Sequence, residues 1–206
     1  MRGKRISRLS MMAGTVLSLA GIGLALSLGV RRMEASPIGL SQADLDAIVA
    51  QAVAKAGTTN SGFRLSPTTQ TTRMQIAIVD RSGKLLRLFS MPDAWVGSID
   101  IAIAKGRTAA FFSSDQNALT SRVIGDNSQP GGALWGIGNS NQVGISGSQE
   151  FRNGIITFPG GVPLYKDGVL VGGIGVSGDG VNQDETVAFA GAVGFEPGPN
   201  VTRAGF

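Results

Sequence analysis

The sequence predicts an α+β domain in which helices pack on an antiparallel sheet of about five strands. Two apolar runs, 74–80 and 84–90, flank the turn triplet at 81–83, which is typical of a β-hairpin. Apolar residues recur at helical spacing between residues 45 and 56. A glycine-rich apolar run at 169–176 follows another turn signal and indicates a buried strand. Strands joined as hairpins, with helices before and after them, favour α+β over an alternating α/β fold.

Residues 1–36 differ from the rest and predict a signal peptide or an N-terminal membrane anchor. Four basic residues precede an uncharged run at 11–30. This run is just long enough to span a bilayer, and no clear cleavage site decides between the two alternatives. The excess of positive charge before the run orients the N-terminus inward. We therefore expect the domain, residues 37–206, to be extracytoplasmic: periplasmic, secreted or anchored to the membrane by residues 11–30, with no other membrane contact.

Composition excludes several classes of chemistry. The 206 residues contain no cysteine and no histidine, which rules out disulfides, thiol catalysis and every mechanism that needs imidazole. The excess of basic over acidic residues comes from residues 1–36, because residues 37–206 carry 12 basic and 13 acidic side chains. The sequence therefore predicts no nucleic-acid partner.

Local signals place the elements in order. Ser41 with Asp44 predicts the start of the first helix, and Gly57 predicts its end. Residues 125–154 are rich in Gly, Asn and Ser without any period, which is typical of a functional loop. The other predicted elements are a helix at 98–110, a short helix at 115–123, strands at 155–158, 160–165 and 169–176, and a last helix at 182–193.

Residues Gly173 to Gly178 match the dinucleotide-binding pattern G-x-G-x-x-G. That interpretation needs a βαβ unit, whereas this strand returns from a hairpin and only one helix follows it. Asp179, Asp184 and Glu185 would also repel a pyrophosphate, and we expect them to cap that helix rather than hold a hard cation. The glycines therefore favour close packing of a helix on the strand.

Lys105, Arg107 and Thr108 cluster on the predicted helix at 98–110. A solvated helix face explains them, and so does a site for an acidic ligand beside the glycine-rich loop. The sequence alone leaves both interpretations open.

Taken together, two segments resemble the GlcG/HbpS family, which includes the C-terminal domain of PduO-type proteins. The resemblance extends from about Leu40 to Gly194. The residues that carry it are Phe158 to Leu164, Asp167-Gly168, Val171 to Gly178 and Gln183-Asp184, together with Ser98 to Ala102, Lys105 and Thr108 to Ala110. It implies a profilin-like α-β-α sandwich, a homo-oligomer, and haem as the cofactor with a corrinoid as the alternative.

The family's known ligand sites map only partly onto this chain. Ligation of haem by histidine, as in some PduO-like members, is impossible here. A threonine ligand, as in HbpS-like proteins, best matches Thr108, while Tyr165, Met91 and Lys105 are alternatives. Lys105 and Arg107 are the cations nearest to it for haem propionates. The predicted cofactor-binding residues are therefore Thr108, Lys105, Arg107 and Tyr165, although Gly106 and Arg107 replace the alanine and aromatic residue usual in the family.

The resulting hypothesis is an extracytoplasmic haem- or tetrapyrrole-binding module, oligomeric, with a membrane-bound or sensor protein as a further partner. The first alternative is a non-catalytic structural or accessory subunit with the same fold. The second is a haem-degrading or small-acid-metabolising enzyme. No residue pattern identifies a catalytic group, so we expect no enzyme activity of the module itself.

Overall fold

The computed structural model describes residues 38–139 and 154–206. The predicted leader at 1–36 and residues 140–153 of the glycine-rich loop lie outside the described residues. Within the two described ranges, no helix combines the length and the apolar character needed to cross a membrane.

The described residues form four helices and six strands, with short 3₁₀ turns at Val96–Ser98 and Trp135–Asn139. The helices are α1 (Gln42–Ala56), α2 (Ile99–Phe111), α3 (Ser121–Asn127) and α4 (Val181–Gly191). The strands are β1 (Gln75–Asp80), β2 (Leu85–Ser90), β3 (Asn117–Leu119), β4 (Gly161–Lys166), β5 (Val169–Ser177) and β6 (Thr202–Ala204).

The main sheet has the order β2-β1-β5-β4, and every neighbouring pair is antiparallel. Ile76 and Ile78 of β1 pack with α1 and α4 in the main core, whereas Ala77 and Val79 contact α2 in a second cluster. Successive side chains of a strand point to opposite faces, so helices cover both faces of the sheet. The predicted α+β class with an antiparallel sheet is confirmed.

Helix α1 begins as the sequence predicts. Asp44 accepts a hydrogen bond from the Ser41 backbone at 2.7 Å, and the Ser41 hydroxyl accepts one from the Asp44 backbone at 3.2 Å. This reciprocal arrangement is a capping box, which satisfies two backbone donors that the helix itself leaves without partners.

The predicted strand at 155–158 is wrong, and the sheet has four strands rather than five. The backbone of Ile156 bonds to a side chain instead of a strand: its N–H donates to Thr108 Oγ1 at 3.0 Å, and its carbonyl lies 2.7 Å from the same hydroxyl. The Thr108 hydroxyl on α2 thus takes the place of the strand-to-strand hydrogen bonds that would have made this segment a strand.

The predicted helix at 115–123 is also wrong. Residues 117–119 form β3, which pairs in parallel with β6 near the C-terminus, and α3 begins only at Ser121, after the N-cap residue Thr120. Apolar residues at 119 and 123 suit one helical face, but the partner strand lies more than 80 residues away in the sequence. Spacing within a segment contains no signal for so distant a pairing.

Helix α2 lies directly against the backbone of β5. A Cβ on Gly175 would overlap the carbonyl oxygen of Ala102 and the amide nitrogen of Gly106, and one on Gly173 would overlap the carbonyl oxygen of Gly106. A Cβ on Gly106 would in turn lie 3.2 Å from the nitrogen of Gly175. The packing interpretation of the glycine pattern is therefore confirmed.

Candidate functional site

Lys105 lies inside the protein, where α2 faces the C-terminal end of β5. Its Nζ donates to Asp184 Oδ2 at 2.7 Å and to the Val176 carbonyl at 3.0 Å. Both side chains of the pair are 2% exposed. Two glycines create the space: a Cβ on Gly160 would lie 3.1 Å from Nζ, and one on Gly161 would overlap the Lys105 carbonyl. Residues that carry the sequence resemblance thus assemble around one buried ion pair.

Burial acts on both members of this pair. Desolvation lowers the pKa of the Lys105 ammonium, and attraction to Asp184 only partly opposes it. Desolvation likewise raises the pKa of the Asp184 carboxyl to about 6, against the opposing attraction of Lys105. A proton can therefore be gained or lost at this pair closer to neutral pH than at exposed groups of the same type.

Asp184 also connects to the loop that precedes β1. Its Oδ1 accepts a hydrogen bond from the Asp179 backbone at 3.1 Å. The Asp179 carboxylate accepts from the backbone of Gly62 at 2.6 Å, from that of Gly180 at 2.9 Å, and from the Ser61 hydroxyl. Asp179 and Asp184 therefore hold the nearby backbone in place through hydrogen bonds. In the described ranges, no group of three or more histidine, cysteine or acidic residues is placed to hold a metal ion.

Thr108 is fully buried one turn after Lys105. Its hydroxyl lies 2.9 Å from the Ala104 carbonyl, besides its two contacts with Ile156. The solvated helix face is thus wrong for Lys105 and Thr108, since the sheet and residues 154–161 cover that side of α2.

Arg107 and Tyr165 lie toward the end of the sheet where β1 turns into β2. Arg107 Nε donates to the carbonyl of Gly83 in that turn at 3.0 Å. The Tyr165 hydroxyl donates to the carbonyl of Ser114 at 2.8 Å, in the segment that leads into β3. Burial raises the pKa of Tyr165 to about 12. The structure therefore brings Lys105 and Thr108 together and places Arg107 and Tyr165 elsewhere. Their assignment to one ligand site stays a prediction.

A cleft of about 540 Å³ opens at this same end of the sheet. Most of its walls are aliphatic, and the polar residues come from the turn between β1 and β2. The lining residues are Ile38, Gly39, Leu40, Asp80, Arg81, Ser82, Leu86, Val169, Leu170 and Val171. Sequence reasoning missed this cleft, because its walls come from three separate segments that are each unremarkable alone.

An exposed apolar surface lies near the opposite end of the sheet. Its four side chains are Phe63, Leu65, Trp95 and Val96, all more than half exposed. An ion pair between Arg64 and Asp93 ties the two segments together. Exposed apolar clusters of this kind are typical of surfaces that contact a partner.

Comparison with known proteins decides the family. The family model described as haem degrading protein HbpS-like matches residues 40–193. The chain belongs to this family. The match covers α1 to α4 and includes the glycines and the Lys105–Asp184 pair described above, which confirms the resemblance on which the sequence analysis relied.

Two corrinoid adenosyltransferases named PduO are similar to the HbpS-like chain. The one from Salmonella typhimurium is 30% identical over 155 residues, which is 75% of this chain and 38% of that protein. The one from Citrobacter freundii is 36% identical over 113 residues, which is 55% of this chain and 29% of that protein. The chain thus spans well under half the length of these relatives.

A solved structure described as the PduOC:heme complex has a similar fold. Its TM-score is 0.57 at 28% sequence identity, and the alignment covers 78% of this chain and 98% of that one. The HbpS-like chain therefore shares its architecture with a protein that was crystallised with haem.

Proposed function

We propose that the chain is a haem-binding module of the HbpS-like family. The observation that carries this proposal is the match of residues 40–193 to the family described as haem degrading and HbpS-like. The likeness to the PduOC:heme complex supports the same ligand. A corrinoid is the alternative tetrapyrrole, because the PduO relatives are named as corrinoid adenosyltransferases.

The donor set of the chain fits a haem that the protein ligates weakly. No imidazole or thiolate exists anywhere in the sequence. Among the described residues, Met74 and Met91 are buried, and the Tyr165 hydroxyl and Lys105 ammonium are engaged in hydrogen bonds. Apolar contact and pairing of the propionates with cations would then hold the macrocycle. The proposed Thr108 ligand requires residues 154–158 to uncover its hydroxyl, because Ile156 occupies that hydroxyl.

We propose further that the module works outside the cytoplasm as a homo-oligomer. The basic start and the uncharged run at 11–30 support export or anchoring. The exposed apolar surface at Phe63 and Trp95 supports assembly or contact with a membrane-bound or sensor protein. Fractionation of cells that express the full chain tests export, and full-length protein recovered from the cytosol argues against it.

Titration of the purified full chain with hemin, followed by visible absorbance, tests the ligand. We expect saturable binding with a spectrum that lacks the bands of bis-histidine coordination. If Thr108 ligates the iron, Thr108→Ala changes that spectrum. Thr186→Ala is the matched control, because Thr186 also bonds a carbonyl four residues back in its own helix, but at the exposed surface. Absence of saturable binding by the wild type favours the accessory-subunit alternative.

A titration with a corrinoid distinguishes the two tetrapyrroles. Saturable corrinoid binding without hemin binding would favour a corrinoid as the ligand of this chain, in line with the names of its PduO relatives. Turnover of bound haem to an open tetrapyrrole in the presence of a reductant would support the haem-degrading alternative instead.

A further inference from the structure

We propose that the exposed apolar surface formed by Phe63, Leu65, Trp95 and Val96 binds the same surface of a second copy of this chain, across a two-fold axis. This inference rests on the proposed homo-oligomer and names the surface through which two copies meet. It involves none of the residues predicted to bind haem.

The first of the two loops that form this surface is already fixed within one copy. The carboxylate of Asp179 accepts hydrogen bonds from the Gly62 backbone at 2.6 Å and from the Ser61 hydroxyl. The Ser61 hydroxyl in turn accepts hydrogen bonds from the backbone of Phe63 at 3.1 Å and of Arg64 at 2.8 Å. A loop held at successive residues loses little conformational freedom when a partner covers it, and this lowers the cost of binding.

Arg64 joins this loop to the second one. Its Nη1 donates to the carboxylate of Asp93 at 2.5 Å, and its Nη2 donates to the Asp93 carbonyl. The ring of Trp95 lies over the backbone of Gly97, because a Cβ on Gly97 would lie 2.8 Å from two atoms of that ring. A ring that rests on its own loop meets a protein partner as a rigid face, which is typical of the residues that contribute most to an interface. Insertion into lipid instead favours a ring that projects freely from a loop tip.

The apolar area of the surface suits one protein interface of ordinary size. Phe63 is 72% exposed and Trp95 is 62% exposed, so the two rings together present roughly 200–330 Å² if a whole aromatic side chain has roughly 150–250 Å². Leu65 and Val96, which are also more than half exposed, extend this area. A standard interface buries roughly 800 Å² on each partner, of which roughly 57% is apolar. These four side chains therefore supply a large part of the apolar area that a stable dimer needs.

The charges of the surface favour a second copy as the partner. Arg64 and Asp93 are the charged residues of segments 63–65 and 93–96, and their charges cancel. A surface without net charge is not repelled by its own copy. The pair still presents a dipole. A two-fold axis that lies in the interface at right angles to the line from Arg64 to Asp93 reverses this dipole in the second copy. Each guanidinium then faces the carboxylate of the other copy, which is a complementary arrangement.

Disulfide cross-linking of the full chain tests whether the partner is a second copy. The natural sequence has no cysteine, so a single introduced cysteine forms a disulfide only with the same residue of another copy. Under mild oxidation, we expect at least one of four variants to cross-link most of its chains into dimers: Phe63→Cys, Leu65→Cys, Trp95→Cys and Val96→Cys. Val193→Cys is the matched control, because Val193 is 54% exposed, close to the 57% of Leu65, and does not belong to the surface.

Sedimentation velocity over a range of concentrations measures the strength of the contact. Val96→Glu brings a carboxylate from each copy into the apolar contact and should raise the dissociation constant of the oligomer by about tenfold or more. Val193→Glu makes the same substitution at another exposed valine and should leave this constant unchanged. Both variants carry the same residues 1–36, so a difference between them does not come from that segment.

The remaining outcomes separate this surface from the proposed function. An oligomer that Val96→Glu weakens no more than Val193→Glu would overturn the surface and leave the proposed homo-oligomer intact. A wild-type chain that is monomeric at every concentration would overturn both, while the hemin titration would still decide haem binding. Cross-linking no stronger at any of the four positions than in Val193→Cys would overturn the second copy as the occupant and leave the surface to an unlike protein or to lipid.

Discussion

The ammonium of Lys105 lies 2.7 Å from the carboxylate of Asp184, 79 positions further along the chain, and water reaches almost none of either side chain. The contact joins the middle of α2 to the first turn of α4 across the end of β5. An ion pair enclosed in this way is costly to break from one side only, because the remaining charge has no solvent to stabilise it.

Replacing one partner of this pair should destabilise the protein strongly. We expect Asp184→Leu alone to lower the free energy of unfolding by about 3–5 kcal/mol, because it leaves a buried ammonium unpaired. Lys105→Met with Asp184→Leu should recover most of that loss. Denaturant unfolding of both variants measures the difference. As a control, Arg87→Met breaks the partly exposed pair with Asp46 and should cost less than about 1 kcal/mol. A double variant no more stable than Asp184→Leu would contradict this account.

Asp184 should make stability depend on pH in an unusual direction. Burial raises its pKa in the folded state to about 6 from the ordinary value of 3.8, so the folded protein holds more protons between these values. Protonated Asp184 keeps oxygen atoms beside Lys105, which the leucine of Asp184→Leu does not, so its contribution to the free energy of unfolding increases as pH falls from about 6 to about 4. Carbon-detected NMR of the Asp184 carboxyl should show a midpoint well above 4, and a midpoint below 4 would rule the effect out.

Asp44 should behave in the opposite way. Its hydrogen bond with Lys166 and its bonds with Ser41 lower its pKa to about 2. The stability it contributes is present above the ordinary value of 3.8 and is lost as pH falls toward 2. Lys166→Met should move the NMR titration midpoint of the Asp44 carboxyl to a higher pH, because it removes the hydrogen bond that lowers this pKa most. Lys84→Met, which removes a surface lysine that does not contact Asp44, should leave the midpoint unchanged.

A single methyl group at the contact between α2 and β5 should be costly. Gly175→Ala places a Cβ on the backbone of Ala102 and Gly106, which cannot move without displacing the helix. We expect a loss of several kcal/mol, roughly that of overpacking a rigid core. Gly198→Ala is the control, because a Cβ there would meet only ordinary contact at 3.7 Å. Equal melting temperatures for the two variants would show that α2 adjusts freely.

Sequence signals of short range predicted most of the fold. The capping box of α1, the hairpin of β1 and β2 and the glycine contact all depend on residues near each other in the chain or on one repeated residue type. The predictions of secondary structure failed where a segment bonds to a partner far away in the sequence. Ile156 bonds to Thr108 rather than to a strand, and β3 depends on the C-terminal β6.

The candidate site was predicted less well for the same reason. Lys105 looks like a surface cation until Asp184 is brought against it, and a single sequence does not reveal that pairing. Arg81 attracts no attention as one residue of a turn, and only the walls contributed by β5 and by residues 38–40 make it part of a cleft. The assignment of Arg107 to a ligand site stays a prediction.

The glycine contact between α2 and β5 has a mechanical consequence. Side chains between a helix and a sheet act as compressible spacers, which allow small sliding motions as rotamers change. Here backbone meets backbone at Gly106, Gly173 and Gly175, and no side chain separates the helix from the strand at these three positions. A shift of the helix along the strand would bring other residues, which carry a Cβ, against backbone atoms, so the present register is favoured. Arg107, which holds the turn at Gly83, and Lys105, which holds Asp184, both lie on this helix, so the turn and the buried ion pair are attached to the same close-packed element.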